Sequence, residues 1–394
     1  MKHDRGRRLI LIFFLSVSFG LWGCAGLEKS REGAFVHVLP FKPEIHDIVN
    51  LHTGKKISFE ELLSELEKMR VIYVGEVHAR ASDHEIQRRI VEGLWERGKN
   101  IGVGVEMLPR STQGDLDRWV EGNLDETSFL NAVLWEDNWG FPFALYRPVF
   151  ALAREKSIPM RALNAPPAVV RKVSRQGLAS LNAEERRSIA GHFYLDDEVY
   201  RSYVEKEFKA HVPGSIRDLQ AFYEAQLVWD ETMAETIAMW LVQEPFRQVV
   251  VLAGKGHVNQ RFGIPERVRR RVEHRYAVVI PVAINEEPDQ VTAEVADFLV
   301  VTAAQKPFEG HGRRLGVRLE RNPKGDGLRV VEVVSGSRAD LAGFQAGDMI
   351  MAVDGESVRD LESLHRLFQR PVPEMVFTLD RDGRTITIPV RFEP

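Results

Sequence analysis

Apolar runs of strand length recur along the chain: Val71 to Val77, Ile101 to Met107, Met160 to Leu163, Gln248 to Ala253, Ala277 to Val282 and Phe298 to Thr302. Each is nearly continuous in Val, Ile and Leu, the pattern of a strand covered on both faces. Between them apolar residues return every third or fourth position, so the chain alternates strand with helix. That rhythm predicts an α/β fold, a mainly parallel sheet with crossover helices, over residues 35–304. Ser82 and Glu85 have the spacing of a capping box, and Ile86, Ile90 and Leu94 follow at helical period. A helix is therefore predicted to begin just past Gly75-Glu76-Val77-His78, and another near Ala144. From Asn182 to Leu241 the pattern is helical throughout, a helical insertion long enough to cover one end of the sheet. Beyond Pro307 it changes to short strands, glycine turns and one helix, Leu361 to Phe368, which predicts a separate small domain over residues 312–394.

The first residues belong to neither domain. Lys2, Arg5, Arg7 and Arg8 precede an apolar run from Leu9 to Phe19 that is too short for a stable membrane span, the form of a secretory signal. Leu21-Trp22-Gly23-Cys24 resembles a bacterial lipobox, although Trp22 stands where a small residue is usual. The resemblance implies cleavage after a signal peptide of residues 1–23 and a diacylglycerol on Cys24. Residues 24–34 read as a polar tether, and Ala25 after the cysteine implies delivery to the outer membrane, facing the periplasm.

Composition narrows the functional classes. The chain of 394 residues carries 53 Lys and Arg against 57 Asp and Glu, net −4, which leaves no basic footprint for nucleic acid. Four of the basic groups and one acidic group lie before Cys24, so the processed chain would hold 49 basic and 56 acidic groups, net −7. Cys24 is the single cysteine, which forbids an internal disulfide and a cysteine-based metal cage.

Three predicted strands end in groups that can bind a metal or move a proton: Gly75-Glu76-Val77-His78, Gly104-Val105-Glu106-Met107 and Gly254-Lys255-Gly256-His257. The carboxyl ends of strands in an open parallel sheet line one crevice, so Glu76, His78, Glu106 and His257 are expected to converge there. Two imidazoles and two carboxylates suit one divalent transition metal, or a histidine base oriented by a carboxylate. His84 lies in the first turn of the capped helix, and either a surface position or a supporting one fits it. Arg110 follows a strand end and can neutralise a ligand carboxylate. Asn164 can donate into the crevice or start the next helix. Trp135, Trp139, Phe141, Phe143 and Tyr146 can wall a flat apolar pocket or form an ordinary core.

These motifs occur in an order, with Tyr146-Arg147-Pro148, Leu163-Asn164-Ala165-Pro166 and Ala225 to Ala234, that resembles the ChaN-like family of bacterial lipoproteins. That family falls in a superfamily with Tiki proteases, TraB-like proteins and erythromycin esterases. The resemblance implies haem binding, a part in iron uptake, and an aromatic hydroxyl as iron ligand. Tyr146 is the candidate, with Tyr194, Tyr200 and Tyr203 competing, and a homodimer could complete such a site. Relatives with two Gly-x-x-His motifs include metal-dependent peptidases, so a hydrolase of esters or peptides is the alternative. There is no His-Glu-x-x-His helix and no Gly-x-Ser-x-Gly elbow.

The last segment, with Leu315-Gly316-Val317, Ala346-Gly347-Asp348 and Val353-Asp354-Gly355, resembles a PDZ domain, a partly open β-barrel with helices. A PDZ domain receives a peptide or protein C-terminus beside one strand. Leu315, Gly316, Val317, Leu319, Leu364 and Leu367 are the expected peptide-binding positions, and packing against the larger domain without a free peptide is the other reading.

Overall fold

The computed structural model describes Leu39 and residues 41–195, 197–211, 219–304, 315–322, 325–333, 337–368, 372 and 374–392. The signal segment, Cys24 and the tether lie outside the described residues. Among those described, no helix is long and apolar enough to cross a membrane.

In chain order the larger unit contains β1 (Ile48–Asn50), β2 (Lys55–Ile57), α1 (Phe59–Leu66), β3 (Val71–Glu76), α2 (Ala81–Glu96) and β4 (Ile101–Pro109). Helices α3 (Gln113–Val120), α4 (Glu126–Ala132), α5 (Trp135–Asn138) and α6 (Phe143–Glu155) lead to β5 (Met160–Asn164). The insertion comprises α7 (Pro167–Gln176), α8 (Ala183–Arg187), α9 (Glu198–His211) and α10 (Leu219–Gln243). Then follow β6 (Gln248–Gly254), α11 (Lys255–Val258), α12 (Ile264–Arg271), β7 (Tyr276–Ala283) and β8 (Phe298–Thr302).

The eight strands form one sheet in the order β2-β1-β8-β7-β3-β6-β4-β5. All six strands expected from the apolar runs are present, and they pair in parallel. The antiparallel pair β1 and β2 at one edge was not legible, because strands of three residues are too short to display a period. Alternate residues of the central strands enter opposite cores: Ile72, Val74, Val250 and Leu252 one, Val71, Tyr73, Val249 and Val251 the other. Burial on both faces is why these strands lack polar positions.

The chain passes from β3 over the later strand β6 to reach β4, so β3, β6 and β4 lie side by side and their carboxyl ends open together. The loop after β3 is fixed differently from expectation. Ser82 is not the cap: α2 begins at Ala81 without a side-chain cap, and the Val77 N–H donates to Asp83 Oδ2 at 2.9 Å. The capping box in this part of the chain is at α1, where Ser58 and Glu61 bond reciprocally.

The C-terminal unit is antiparallel: β9 (Val317–Arg321), β10 (Leu328–Val333), α13 (Arg338–Ala342), β11 (Met349–Val353), β12 (Glu356–Ser357), α14 (Leu361–Phe368), β13 (Glu374–Arg381) and β14 (Arg384–Arg391). Its sheet runs β14-β13-β11-β10-β9, with β12 on β11. Leu315, Leu364 and Leu367 are buried in this unit's own core, with Val317 and Leu319 packed against it. Gly316 has φ +83°, and a Cβ there would lie 2.1 Å from Ser337 Cβ, so the turn before β9 requires glycine twice over.

Candidate functional site

The expected residues converge. Glu76 is the last residue of β3, Glu106 lies in β4, and His257 sits in the single turn of α11 after β6. Glu76 ends its strand, whereas Glu106 is followed in β4 by Met107, Leu108 and Pro109 and stands just past Val105, where the pairing with β6 stops.

Glu76 is wholly buried and receives four groups. His78 Nδ1 is 2.8 Å from Oε1, Tyr146 OH donates to Oε1 at 3.0 Å, Gln87 Nε2 donates to Oε2 at 2.7 Å, and His84 Nδ1 is 3.3 Å from Oε2. Burial alone would raise the Glu76 carboxyl, but the charges and hydrogen bonds of His84 and His78 outweigh it and hold it below the ordinary carboxylate range. The converse holds for His84: burial disfavours its charge, yet the Glu76 carboxylate raises it to about 9. His78 moves up for the same reason, through Glu76 and Glu106.

The second half of the site is a line of hydrogen bonds. Tyr200 OH donates to Asp230 Oδ2 at 2.5 Å, Asp230 Oδ1 is 2.6 Å from His257 Nδ1, and His257 Nε2 is 3.3 Å from Glu106 Oε1. Glu106 Oε2 accepts the Gly254 N–H at 2.6 Å. Burial opposes the charge on His257, but the two carboxylates raise its pKa well above the ordinary value. Glu106 is correspondingly lowered, His257 overcoming the burial that would raise it. The site therefore interleaves carboxylates with imidazoles, each favouring the charged form of the other.

These residues do not form the metal cage expected from their types. Among the described residues no group of three or more His, Cys, Asp or Glu side chains is arranged to hold an ion. The physical reason is that the imidazoles are paired with carboxylates by hydrogen bonds, each ring nitrogen of His257 facing one. A metal would have to displace those pairs.

Other expectations shift as well. Tyr146 cannot serve as an exposed iron ligand, because it is fully buried and its hydroxyl is spent on Glu76 and the His78 carbonyl. Burial pushes its phenol well above the ordinary range, away from phenolate. Asn164 supports the site from behind: its Nδ2 donates to the Glu106 carbonyl at 2.9 Å and its Oδ1 accepts from Ala165 N, so it neither enters the crevice nor starts α7. Arg110 turns away to Glu235 at 3.1 Å and the Ser188 carbonyl. His84 is a buried support of Glu76 rather than a surface residue. Trp135, Phe143 and Tyr146 are buried, whereas Trp139 and Phe141 flank the His78 ring at 4.7 and 4.9 Å.

Asp230 went unassigned in the sequence, as did its companion Glu231. Both are essentially inaccessible in mid-α10, between apolar Leu227-Val228-Trp229 and Thr232-Met233-Ala234. An acidic pair inside an otherwise apolar helical run was the available signal, since such a pair needs cationic partners. Asp230 finds His257, and Glu231 finds Arg267 at 3.2 Å and Arg271 at 2.7 Å.

The site opens into a cleft of about 370 Å³ whose near wall is Glu76, His78, Gly254, Lys255 and His257. Tyr200, Tyr203 and Val204 of α9 and Phe222 and Gln226 of α10 also line it. Of the competing tyrosines, Tyr200 and Tyr203 line the cleft: the Tyr200 hydroxyl is held by Asp230, and Tyr203 is only partly buried.

The family described as haem-binding uptake, Tiki superfamily, ChaN matches residues 62–268, and a PDZ domain family matches residues 329–378. A structure of cofacial heme binding to ChaN of Campylobacter jejuni shares the fold, with TM-score 0.53 and 20% identity over 66% of this chain and 97% of that one. An erythromycin esterase in its open conformation aligns with TM-score 0.38 and 14% identity, over 60% of this chain and 76% of that one. Protein RETICULATA-RELATED 5, chloroplastic, of Arabidopsis thaliana is 24% identical over 276 residues, 64% of this chain. The match spans about a third, 36%, of that curated relative's length.

Proposed function

The chain belongs to the haem-binding uptake family of the Tiki superfamily, ChaN, and from that premise we propose that the cleft between His78 and Tyr203 binds haem as cargo. The observation that supports this is the mixed lining of the cleft. A flat porphyrin needs apolar surfaces, which Val204 and Phe222 offer, and ferric iron accepts an oxygen or imidazole ligand, which Tyr203 and His78 offer. At about 370 Å³ the cleft lies at the small end of ligand pockets, roughly 300–1,000 Å³, so one haem face would stay open to a second copy of the chain. Lys255 on the near wall supplies a cation for a propionate, and the His78–Glu76 bond fixes the imidazole's orientation. The PDZ domain would bring a peptide or protein C-terminus to the same molecule, and the lipid on Cys24 would hold it in the cell envelope, at the outer membrane, for iron uptake.

The test is an absorbance titration of the full-length protein with haem. A saturating Soret shift, weakened by Tyr203→Phe, is expected, and an unchanged free-haem spectrum at micromolar concentration would overturn the proposal. Incorporation of labelled fatty acid, abolished by Cys24→Ser, tests the anchor separately.

A second reading is favoured by the Asp230–His257–Glu106 line, which is built like a proton relay at the cleft wall. It supports hydrolysis of an ester or peptide without a resident metal, His257 starting as the proton donor and Glu106 accepting from water. Ester turnover by metal-free protein, lost in His257→Ala, is its expected result.

A further inference from the structure

Two consecutive residues just past the site hold backbone conformations that side chains disfavour. In the turn that joins α11 to α12, Gln260 has φ 54° and ψ 7°, and Arg261 has φ 64°. Residues with a Cβ are uncommon in this left-handed region, and two in a row need outside support. Such conformations persist where the surroundings impose them, and they gather at functional sites. Here the pair begins three residues after His257.

The support comes from the chain before β8. The Gln260 N–H donates to the Val295 carbonyl at 3.0 Å. Arg261 does the rest: its Nη1 donates to the carbonyls of Ala293 and Glu294 at 2.9 and 2.8 Å, and its Nη2 to Asp297 Oδ1 at 2.7 Å. Asp297 is itself fixed to the sheet, since its Oδ2 accepts the Val278 N–H of β7 at 2.7 Å and its own N–H donates to the Val278 carbonyl at 2.9 Å. His52 Nε2, after β1, lies 2.6 Å from Asp297 Oδ1. The rigid fork of one guanidinium thus ties the turn to the sheet.

The turn matters to His257 because α11 has little of its own to orient the ring. It is a helix of four residues with no side-chain cap. Before it, the Gly254 N–H is held by Glu106 Oε2 at 2.6 Å. After it, the chain folds back so closely that a Cβ at Gly263 would lie 2.3 Å from the His257 carbonyl oxygen and 3.1 Å from Asp230 Oδ2. Backbone on both sides therefore fixes the ring between Asp230 Oδ1 and Glu106 Oε1. Relaxing Gln260 and Arg261 to ordinary φ would carry Gly263 out of that contact.

We propose that Arg261, which does not line the cleft, is a positioning residue for His257: by holding the strained turn against the chain before β8, it keeps the imidazole between its two carboxylates. The proposal rests on the reading of His257 as the working imidazole of the site, and its test reads that ring without haem, ester or turnover.

The experiment is NMR titration of the His257 ring in the full-length protein, beside a thermal melt, for the wild type, Arg261→Ala, Arg261→Gly and Arg261→Lys. Arg261→Gly removes the clamp and the φ cost together, so it should melt no lower than Arg261→Ala. In both, the His257 midpoint should fall by at least one pH unit, because the ring leaves the carboxylates that raise it. Arg261→Lys keeps the φ cost but returns a cation to Asp297, and should recover at least half of that fall. A wild-type midpoint in folded Arg261→Gly would make Arg261 a brace of the loop alone and overturns the proposal. Failure of both Arg261→Ala and Arg261→Gly to melt cooperatively also overturns it, since the turn would then serve the fold and not the ring. A wild-type ring already titrating near the ordinary histidine value, about 6.5, would instead overturn the reading of His257 on which the proposal rests.

Discussion

Gly254 and Gly256 stand two residues apart in one turn, and the structure separates them sharply. A Cβ at Gly254 would lie 2.7 Å from His78 Cε1, 3.1 Å from His78 Nε2 and 3.6 Å from Glu106 Oε2, whereas one at Gly256 meets nothing within 4 Å. The Gly254 backbone, φ −56° and ψ 144°, suits any residue, so Gly254→Ala acts through contact with the site and not through backbone strain. Overpacking of this kind costs about 1–3 kcal/mol. The His78 side chain is 29% exposed and can swing aside only by giving up its bond to Glu76, which places the loss of stability toward the upper end, about 2–3 kcal/mol. Swinging breaks the 2.8 Å bond from His78 Nδ1 to Glu76. A hydrogen bond to a charged group is worth about 1.5–3 kcal/mol, so haem affinity should fall roughly 10- to 100-fold. Thermal melts and haem titrations of the wild type, Gly254→Ala and Gly256→Ala would check this. Gly256→Ala should match the wild type in both. Equal haem affinity in all three proteins would refute the reasoning.

Three further outcomes follow from the same contacts. Glu76→Ala leaves the buried His84 without the carboxylate that balances its charge, and breaking a buried pair costs about 3–5 kcal/mol, seen as a large fall in Tm by calorimetry. His84 is raised to about 9, so its contribution is complete below the unfolded value of about 6.5 and is lost as pH rises through 9. That contribution is on the order of 3 kcal/mol, so the wild type should lose more Tm between pH 6.5 and 9.5 than His84→Gln, and an equal loss would contradict the assignment. Asp230→Asn should lower the pKa of His257, read as a titration midpoint at lower pH in its imidazole NMR signals, while an unchanged midpoint would show that Glu106 alone sets it.

The strands and the crevice were legible because a buried parallel strand leaves an unbroken apolar run and because its end is where a Glu or His stands out. Glu76, Glu106 and His257 were found that way. Their bonding was not legible. Types and spacing of four residues fit a metal cage equally well, and only the positions of Asp230, Gln87 and Tyr146 show that the imidazoles are paired with carboxylates. Asp230 comes from α10, more than a hundred residues after Glu106, so no local spacing points to it. Arg110 illustrates the opposite error: a cation at a strand end was assigned to the crevice, but its long side chain reaches Glu235 of α10 and the Ser188 carbonyl. The capping-box spacing at Ser82 was likewise overruled, because Asp83 was needed to hold the loop that carries His78.

The central claim, that haem sits between Tyr203 and His78, is tested most directly by electron paramagnetic resonance of the ferric haem complex after gel filtration of the full-length protein. The account predicts a high-spin signal of an oxygen-ligated iron that is lost or converted in Tyr203→Phe. Failure of the wild type to retain haem through the column, or the same signal in Tyr203→Phe, would contradict it.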